Sequence, residues 1–289
     1  SLSPDPGPSA QAPGHSASGP VRTANARAAN LARVPAPVTE ILAELYALLA
    51  PAQFQDYCPN GLQVPGPATV STIATGVSAS AQLFELAAGE RAGLLLVHHG
   101  LFWGSGPPGP IDAQLKRRLQ LLFDADIALA AYHLPLDAHP RLGNNALIAA
   151  ALGAQRQDEP FARHHGEPIG CLARFPGEGL ATTELLARVR ALTEREPLVF
   201  DSGPPAIRTL AIVSGAGCDH LAEAASAGAE ALLTGEPAER AMSQARELGL
   251  HLIAAGHYAT ETFGVRALGE RLAERFGVRH VFLDVPNPV

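Results

Sequence analysis

From Val70 onward, short apolar runs alternate with amphipathic stretches of helical spacing, which restricts the chain to a layered α/β architecture. Val70–Val77 reads as a strand, Ala81–Ala88 as a helix and Leu94–Val97 as a strand buried on both faces. A helix over Ala113–Phe123, a strand over Ile127–Tyr132 and a helix over Asn145–Leu152 follow. Past Gly153 the pattern loosens until a helix over Thr182–Leu192. Leu210–Val213 (strand), Leu221–Ala227 (helix), Ala231–Leu233 (strand) and Ala238–Leu248 (helix) come next. Leu250–Ala255 (strand), Gly264–Phe276 (helix) and Val281–Leu283 (strand) complete the alternation. Upstream, Ile41, Leu42, Leu45, Leu48 and Leu49 fall at helical spacing, with Thr39 placed to cap a helix that starts near Val38.

The alternation repeats itself. Ala74-Thr75-Gly76-Val77, a helix and then Ala92 to His99 echo Val213-Ser214-Gly215-Ala216, a helix and then Ala229 to Glu236. Each copy continues through a helix into a strand of small residues. The first such strand leads to His133, with Asp137 four residues on; the second leads to His257, with Glu261 four residues on. Two related α/β units are expected.

The 289 residues are 47% hydrophobic and 17% charged, which excludes disorder throughout. From Ser1 to about Pro37, Pro, Ala, Ser and Gly dominate without apolar periodicity, so residues 1–37 are expected to be a disordered tail. With 21 basic and 28 acidic residues the net charge is −7, which argues against broad phosphate contact with nucleic acid. Cys58, Cys171 and Cys218 are odd in number and form no CxxC pair, so neither a disulfide framework nor a thiolate zinc site is expected. No apolar run approaches the roughly 20 residues of a membrane helix, and no leader pattern opens the sequence. A cytoplasmic protein without membrane partners is the expectation.

The strongest chemical signal is Val97-His98-His99-Gly100, where a strand gives way to a loop and a glycine lets the chain turn sharply. His133 and His257 also stand where strands end, and ligands of open α/β sheets collect at such ends. Imidazole with carboxylate and no thiolate suits Zn, Fe, Mn or Ni. Two histidines from one loop plus bridging carboxylates would allow two ions about 3.5–4 Å apart. Asp137 and Glu261 fit helix N-terminal capping equally well at this stage. His164-His165, lacking a strand that leads in, reads as a surface loop, and His15, His139, His220, His251 and His280 take no role. Gly215-Ala216-Gly217 is half of a dinucleotide fingerprint and lacks the third glycine. The key residues of a P-loop and of a serine-hydrolase elbow are missing.

Asp56-Tyr57-Cys58-Pro59-Asn60-Gly61-Leu62-Gln63-Val64, Val97 to Trp103 and His133-Leu134-Pro135-Leu136-Asp137 together resemble the NIF-three-like dinuclear metal-centre family. Its members are commonly labelled GTP cyclohydrolase I type 2 homologues. Gly143-Asn144-Asn145, Thr234-Gly235-Glu236, Ala255 to Glu261 and Asp284-Val285-Pro286-Asn287-Pro288 continue the resemblance, which covers Val38 to Val289.

That resemblance implies two divalent metal ions held by His98, His99, Asp137, His257 and Glu261, with His133 and Glu236 as pocket, supporting or proton-transfer groups. It implies two similar α/β units, the second inserted into the first: residues 38–153 plus 248–289 form the metal-binding domain and 154–247 the insert. It also implies a ring-shaped homohexamer. The leading functional expectation is a metal-dependent hydrolase acting on a small molecule such as a nucleotide, at a purine-type ring or related amide-like carbon. The alternatives are a non-catalytic metal-dependent scaffold or nucleic-acid-associated ring, and a metal-handling protein whose ions are cargo.

Overall fold

The computed structural model describes residues 34–104 and 109–289. Most of the expected tail lies outside them, but Ala36–Pro37 is already a short strand paired with Thr69–Val70, and Ala36 is buried. The helix Val38–Leu49 follows directly, with Val38, Ile41, Leu45 and Leu49 on its buried face. Pro37 rather than Thr39 stands at its cap, with no side-chain capping bond.

Two sheets carry the molecule. The five-stranded sheet runs Arg279–Phe282, Thr72–Ser78, Leu94–His99, Ala128–Ala131 and Gly61–Val64, parallel except for the last strand. The six-stranded sheet runs Leu198–Phe200, His251–Ala254, Ala231–Thr234, Thr209–Val213, Glu167–Arg174 and Gln155–His164, with its second to fourth strands parallel. The expected return to the first unit at residue 248 is therefore displaced. His251–Ala254 is hydrogen-bonded to Ala231–Thr234 in the second sheet, and all four of its residues are buried there. The loosely patterned stretch after Gly153 is the hairpin Gln155–His164 and Glu167–Arg174. Its exposed positions and bulge hid the period-two alternation.

The internal echo is structural. Each half has a short two-strand pair flanking a helix: Ala36–Pro37 with Thr69–Val70 around Val38–Leu49, and Leu180–Ala181 with Ala206–Ile207 around Thr182–Thr193. Each then has three parallel strands joined by helices. Parallel pairing places Ile73 beside Leu94 and Leu210 beside Ala231. The first strands of the two copies therefore correspond as Ile73 to Leu210, a slip of two from the alignment read in sequence. A slip of two keeps every side chain on its own face, which is why the apolar pattern concealed it.

Side chains alternate across each sheet. Leu94 and Leu96 enter one core with Ile41, Leu45, Val265 and Leu272, while Leu95 and Val97 enter another with Leu83, Phe84 and Leu122. In the second sheet Leu233 packs with Ile148, Leu152, Leu185 and Val189, and Leu232 packs with Leu221, Ala224 and Ala245. The halves exchange helices. Asn144–Leu152, which follows the first sheet's strand Ala128–Ala131, buries Ile148 and Leu152 against the second sheet. Thr262–Phe276, which follows the second sheet's strand His251–Ala254, buries Val265, Leu268 and Leu272 against the first. At about 1.5–3 kcal/mol for each fully buried aliphatic side chain, each helix contributes several kcal/mol to a sheet it does not belong to. The connecting segments cross between the sheets at the strand ends.

Candidate metal centre

His98 and His99 are the last two residues of the strand Leu94–His99, which extends two residues further than its apolar run suggests. Their rings lie 4.8 Å apart even though successive strand residues point to opposite faces, because the strand ends there. Gly100 is needed for close approach rather than for a left-handed turn. A Cβ on it would meet the Gln63 side-chain amide at 2.3 Å, and Gln63 Oε1 accepts the Leu101 amide at 2.7 Å. After Ala131, His133 leads into the short helix Leu134–Asp137, and after Ala254 the turn His257–Thr260 leads into Glu261. These crossings bring all the candidate residues to one place.

Four imidazoles share one orientation. His98 Nδ1 donates to the Tyr132 carbonyl at 3.1 Å, and His99 Nδ1 bonds Ser78 Oγ at 2.9 Å. His133 Nδ1 lies 2.7 Å from Asp56 Oδ1, and His257 Nδ1 lies 2.5 Å from Glu236 Oε1. With each Nδ1 occupied, the four Nε2 atoms are left to face inward. Fixing the outer ring nitrogen in this way sets the tautomer and aim of a metal-binding histidine.

Two carboxylates complete the cluster. Glu261 Oε2 lies 3.0 Å from His99 Nε2 and 3.1 Å from His257 Nε2, and its Oε1 lies 3.5 Å from His98 Nε2. Asp137 Oδ2 lies 3.4 Å from His98 Nε2, while its Oδ1 accepts from Asn144 at 2.8 Å and Ser214 at 3.1 Å. Neither carboxylate caps a helix: Asp137 ends its short helix, and Glu261 makes no capping bond to Thr262–Phe276. His98 Nε2 and Glu261 Oε2 are buried without a hydrogen-bond partner. Donor atoms around a common cation at about 2.1 Å would stand roughly 3.0–3.4 Å from one another, close to the separations here. His98, Asp137 and Glu261 form one group able to hold an ion; His99, His257 and Glu261 form a second, and His98, His99 and His133 a third.

Protonation follows from this packing. Burial pushes the His98 imidazole down, but the carboxylates of Asp137 and Glu261 outweigh it and hold it well above the ordinary histidine range. Burial likewise opposes the His257 cation, and Glu261 with Glu236 raise it to about 9. His99 is lowered, since burial exceeds the pull of Glu261. Burial would raise Glu261, yet His98, His99 and His257 hold it well below the usual carboxylate range.

The structure thus brings His98, His99, Asp137, His257 and Glu261 together, with His133 beside His98 and His99 and with Glu236 behind His257. Residues that took no role in sequence reading also converge. Asp56 accepts from His133, the Leu134 amide and Asn60, and Asn60 Oδ1 in turn accepts the His133 amide. Gly215, read as half of a nucleotide fingerprint, has φ +64, and a Cβ there would meet Glu261 Oε1 at 2.4 Å. The glycine lets a backbone turn pass beside the cluster. His164, read as a surface loop, lines the same cavity of about 720 Å³ as His99, His133 and Glu261.

Two mutually capped α/β sheets thus meet over a buried histidine–carboxylate cluster whose side chains could hold a metal ion. The chain belongs to the Duf34/NIF3 (NGG1p interacting factor 3) family, whose pattern spans residues 36–288. It is 42% identical over 253 residues to the GTP cyclohydrolase 1 type 2 homolog of Pseudomonas aeruginosa, covering 87% of this chain and 98% of that protein. Among solved structures, the ybgI protein of unknown function superposes with a TM-score of 0.81 at 40% identity, over 88% of this chain and all of that one. TTHA1606 from Thermus thermophilus gives 0.79 at 39% identity, with coverage of 88% and 100%.

Proposed function

We propose that this chain binds two divalent metal ions and uses them in hydrolysis. His98 and Asp137 would hold one ion and His99 and His257 the other, with Glu261 within reach of both. The observation that carries this reading is the common aim of the His98, His99 and His257 Nε2 atoms toward two carboxylates, with His98 Nε2 and Glu261 Oε2 buried and unpartnered. Zn, Fe, Mn or Ni bound there would lower the pKa of an attacking water and stabilise charge developing at a purine-type or amide-like carbon. The protein's own proton-transfer group is His133, whose Nδ1 is held by Asp56 so that Nε2 remains free to take or give a proton. Glu236 orients His257 and is a positioning residue. The names of the relatives support a cyclohydrolase-like reaction on a nucleotide-sized small molecule.

The test is turnover by metal-reconstituted protein against GTP, other nucleotides and cyclic amides. His133→Asn should keep both ions and lose about 10²–10⁴-fold in rate, the usual contribution of a general acid–base group. Ions retained with no turnover of any of these would instead favour a scaffold or a metal-handling role. No helix among the described residues is long and apolar enough to cross a membrane, which is compatible with a cytoplasmic location. The two units, divided so that residues 155–254 form the second sheet, and the hexameric ring belong to the same proposal. Light scattering should give six times the chain mass.

A further inference from the structure

The cavity above the cluster continues past the ligand atoms into a compartment the hydrolytic chemistry does not use. Two aromatic side chains line it and stay half-exposed, Tyr57 at 55% and Trp103 at 51%. Trp103 lies tilted against His99, with centroids 5.8 Å apart, and edge-to-face against His133 at 5.4 Å, while about half of its surface stays exposed. Tyr57 is steadied from the other half of the molecule: the His164 ring lies 4.8 Å away, and the Tyr57 hydroxyl is 3.4 Å from His164 Nδ1. Both halves therefore build this compartment.

Its charge is specific as well. Arg118 lines the cavity from the helix Ala113–Asp124, and among the described residues no carboxylate lies within ion-pair distance of it. Its neighbour Arg117 is paired with Glu85 at 3.3 Å. A partly buried guanidinium left free at a cavity wall matches a planar, bidentate anion such as a phosphate or carboxylate.

We propose that Tyr57, Trp103 and Arg118 form a ligand subsite beside the metal centre, which takes a planar aromatic ring carrying an anionic group. The two rings flank the ligand ring and the guanidinium meets the anion. This deepens the hydrolase reading and rests on it for the position of the reacting atom. Tyr57 and Trp103 select for the ring, and Arg118 selects for its charge.

Trp103 is the sole tryptophan of the chain, so its fluorescence reports the compartment directly. The full-length, metal-loaded protein is titrated with GMP, with guanosine as the ring without the anion and ribose 5-phosphate as the anion without the ring. Calorimetry and metal analysis are run on the same samples. GMP should quench Trp103 and bind at least about tenfold more tightly than either half, the size of effect expected for one charge-assisted pair or one stacked base. Arg118→Ala should bring GMP down to the level of guanosine, and Tyr57→Ala should weaken GMP and guanosine alike, both with metal content unchanged. Ribose 5-phosphate binding as well as GMP, or Arg118→Ala leaving GMP unaffected, would overturn the subsite. Two ions retained with no GMP binding overturns the subsite alone. GMP bound by a chain that takes up no ions overturns the metal reading and leaves the subsite standing.

Discussion

The two halves share one scaffold and divide the work. At the end of the first half's middle strand stand His98 and His99; the matching positions of the second half are Gly235 and Glu236. The first half therefore presents two imidazoles where the second presents a gap and a prop. A Cβ on Gly235 would meet His257 Cα at 2.6 Å, and the Glu236 carboxylate fixes the His257 ring. Downstream the halves contribute alike, each sending a histidine and a carboxylate four residues apart from the end of its third strand.

That comparison breaks most readily at Glu261, whose carboxylate approaches His98 and His99 from the first half and His257 from the second. Glu261→Ala should abolish retention of both ions, read by metal analysis after desalting, and remove any turnover. Loss of only one ion would mean that the halves bind independently. A smaller but still large effect is expected from Gly215→Ala, because the left-handed φ and the approach to Glu261 Oε1 are both violated. A cost of about 1–3 kcal/mol in stability and weaker metal retention should follow. The same substitution at Gly228, also left-handed but with nothing near its Cβ position, should cost about 1 kcal/mol and leave metal retention intact.

The supporting carboxylates sharpen the contrast further. Asp56 is buried and accepts from His133, Asn60 and two backbone amides, whereas Glu236 is more exposed and holds His257 alone. Asp56→Asn should lower stability by about 2–3 kcal/mol at pH 7 in chemical denaturation. Glu236→Gln should cost little stability and about 10–100-fold in metal affinity. Burial would raise the Asp56 carboxyl, but His133, Asn60 and the Cys58 amide bring it down from 3.8 to about 2. A depressed carboxyl stabilises the fold above its unfolded pKa, so the gap between wild type and Asp56→Asn should hold from pH 7 to near 4 and close toward pH 2. The smallest effect concerns the N-terminus. Deletion through residue 33 should leave the melting temperature unchanged, while deletion through Pro37 removes the pairing with Thr69–Val70 and should lower it by a few degrees.

Much of this was legible in sequence because the parallel strands are buried on both faces. Leu94–Val97 announces itself as an unbroken apolar run and Leu252–Ala255 as a shorter one, and the residues just past them are where α/β sites gather. The histidines past those strands stood out for that reason, while the set of five candidate ligands followed from the family resemblance. What could not be read were the partners set by long-range packing. Asp56 sits in an irregular stretch 77 residues before the histidine it holds, and Ser214 reaches Asp137 from the other half of the chain. His164 lies on a polar hairpin with no apolar strand leading in, so no local signal places it in the cavity. The helix exchange was equally hidden, since an amphipathic face shows that it must be buried but not against which sheet.

Calorimetric titration of the chelator-treated full chain with a divalent cation, in buffers of different ionisation enthalpy, addresses the cluster most directly. Since the neighbouring carboxylates favour the protonated forms of His98 and His257, ions should enter at two per chain and expel protons as they do so. Apparent affinity should rise with pH until His257 has titrated near 9 and fall away toward pH 5, and the metal-dependent gain in melting temperature should follow it. No binding at pH 7.5, or binding that neither releases protons nor changes in Glu261→Ala, would contradict a two-ion centre built on these histidines and carboxylates.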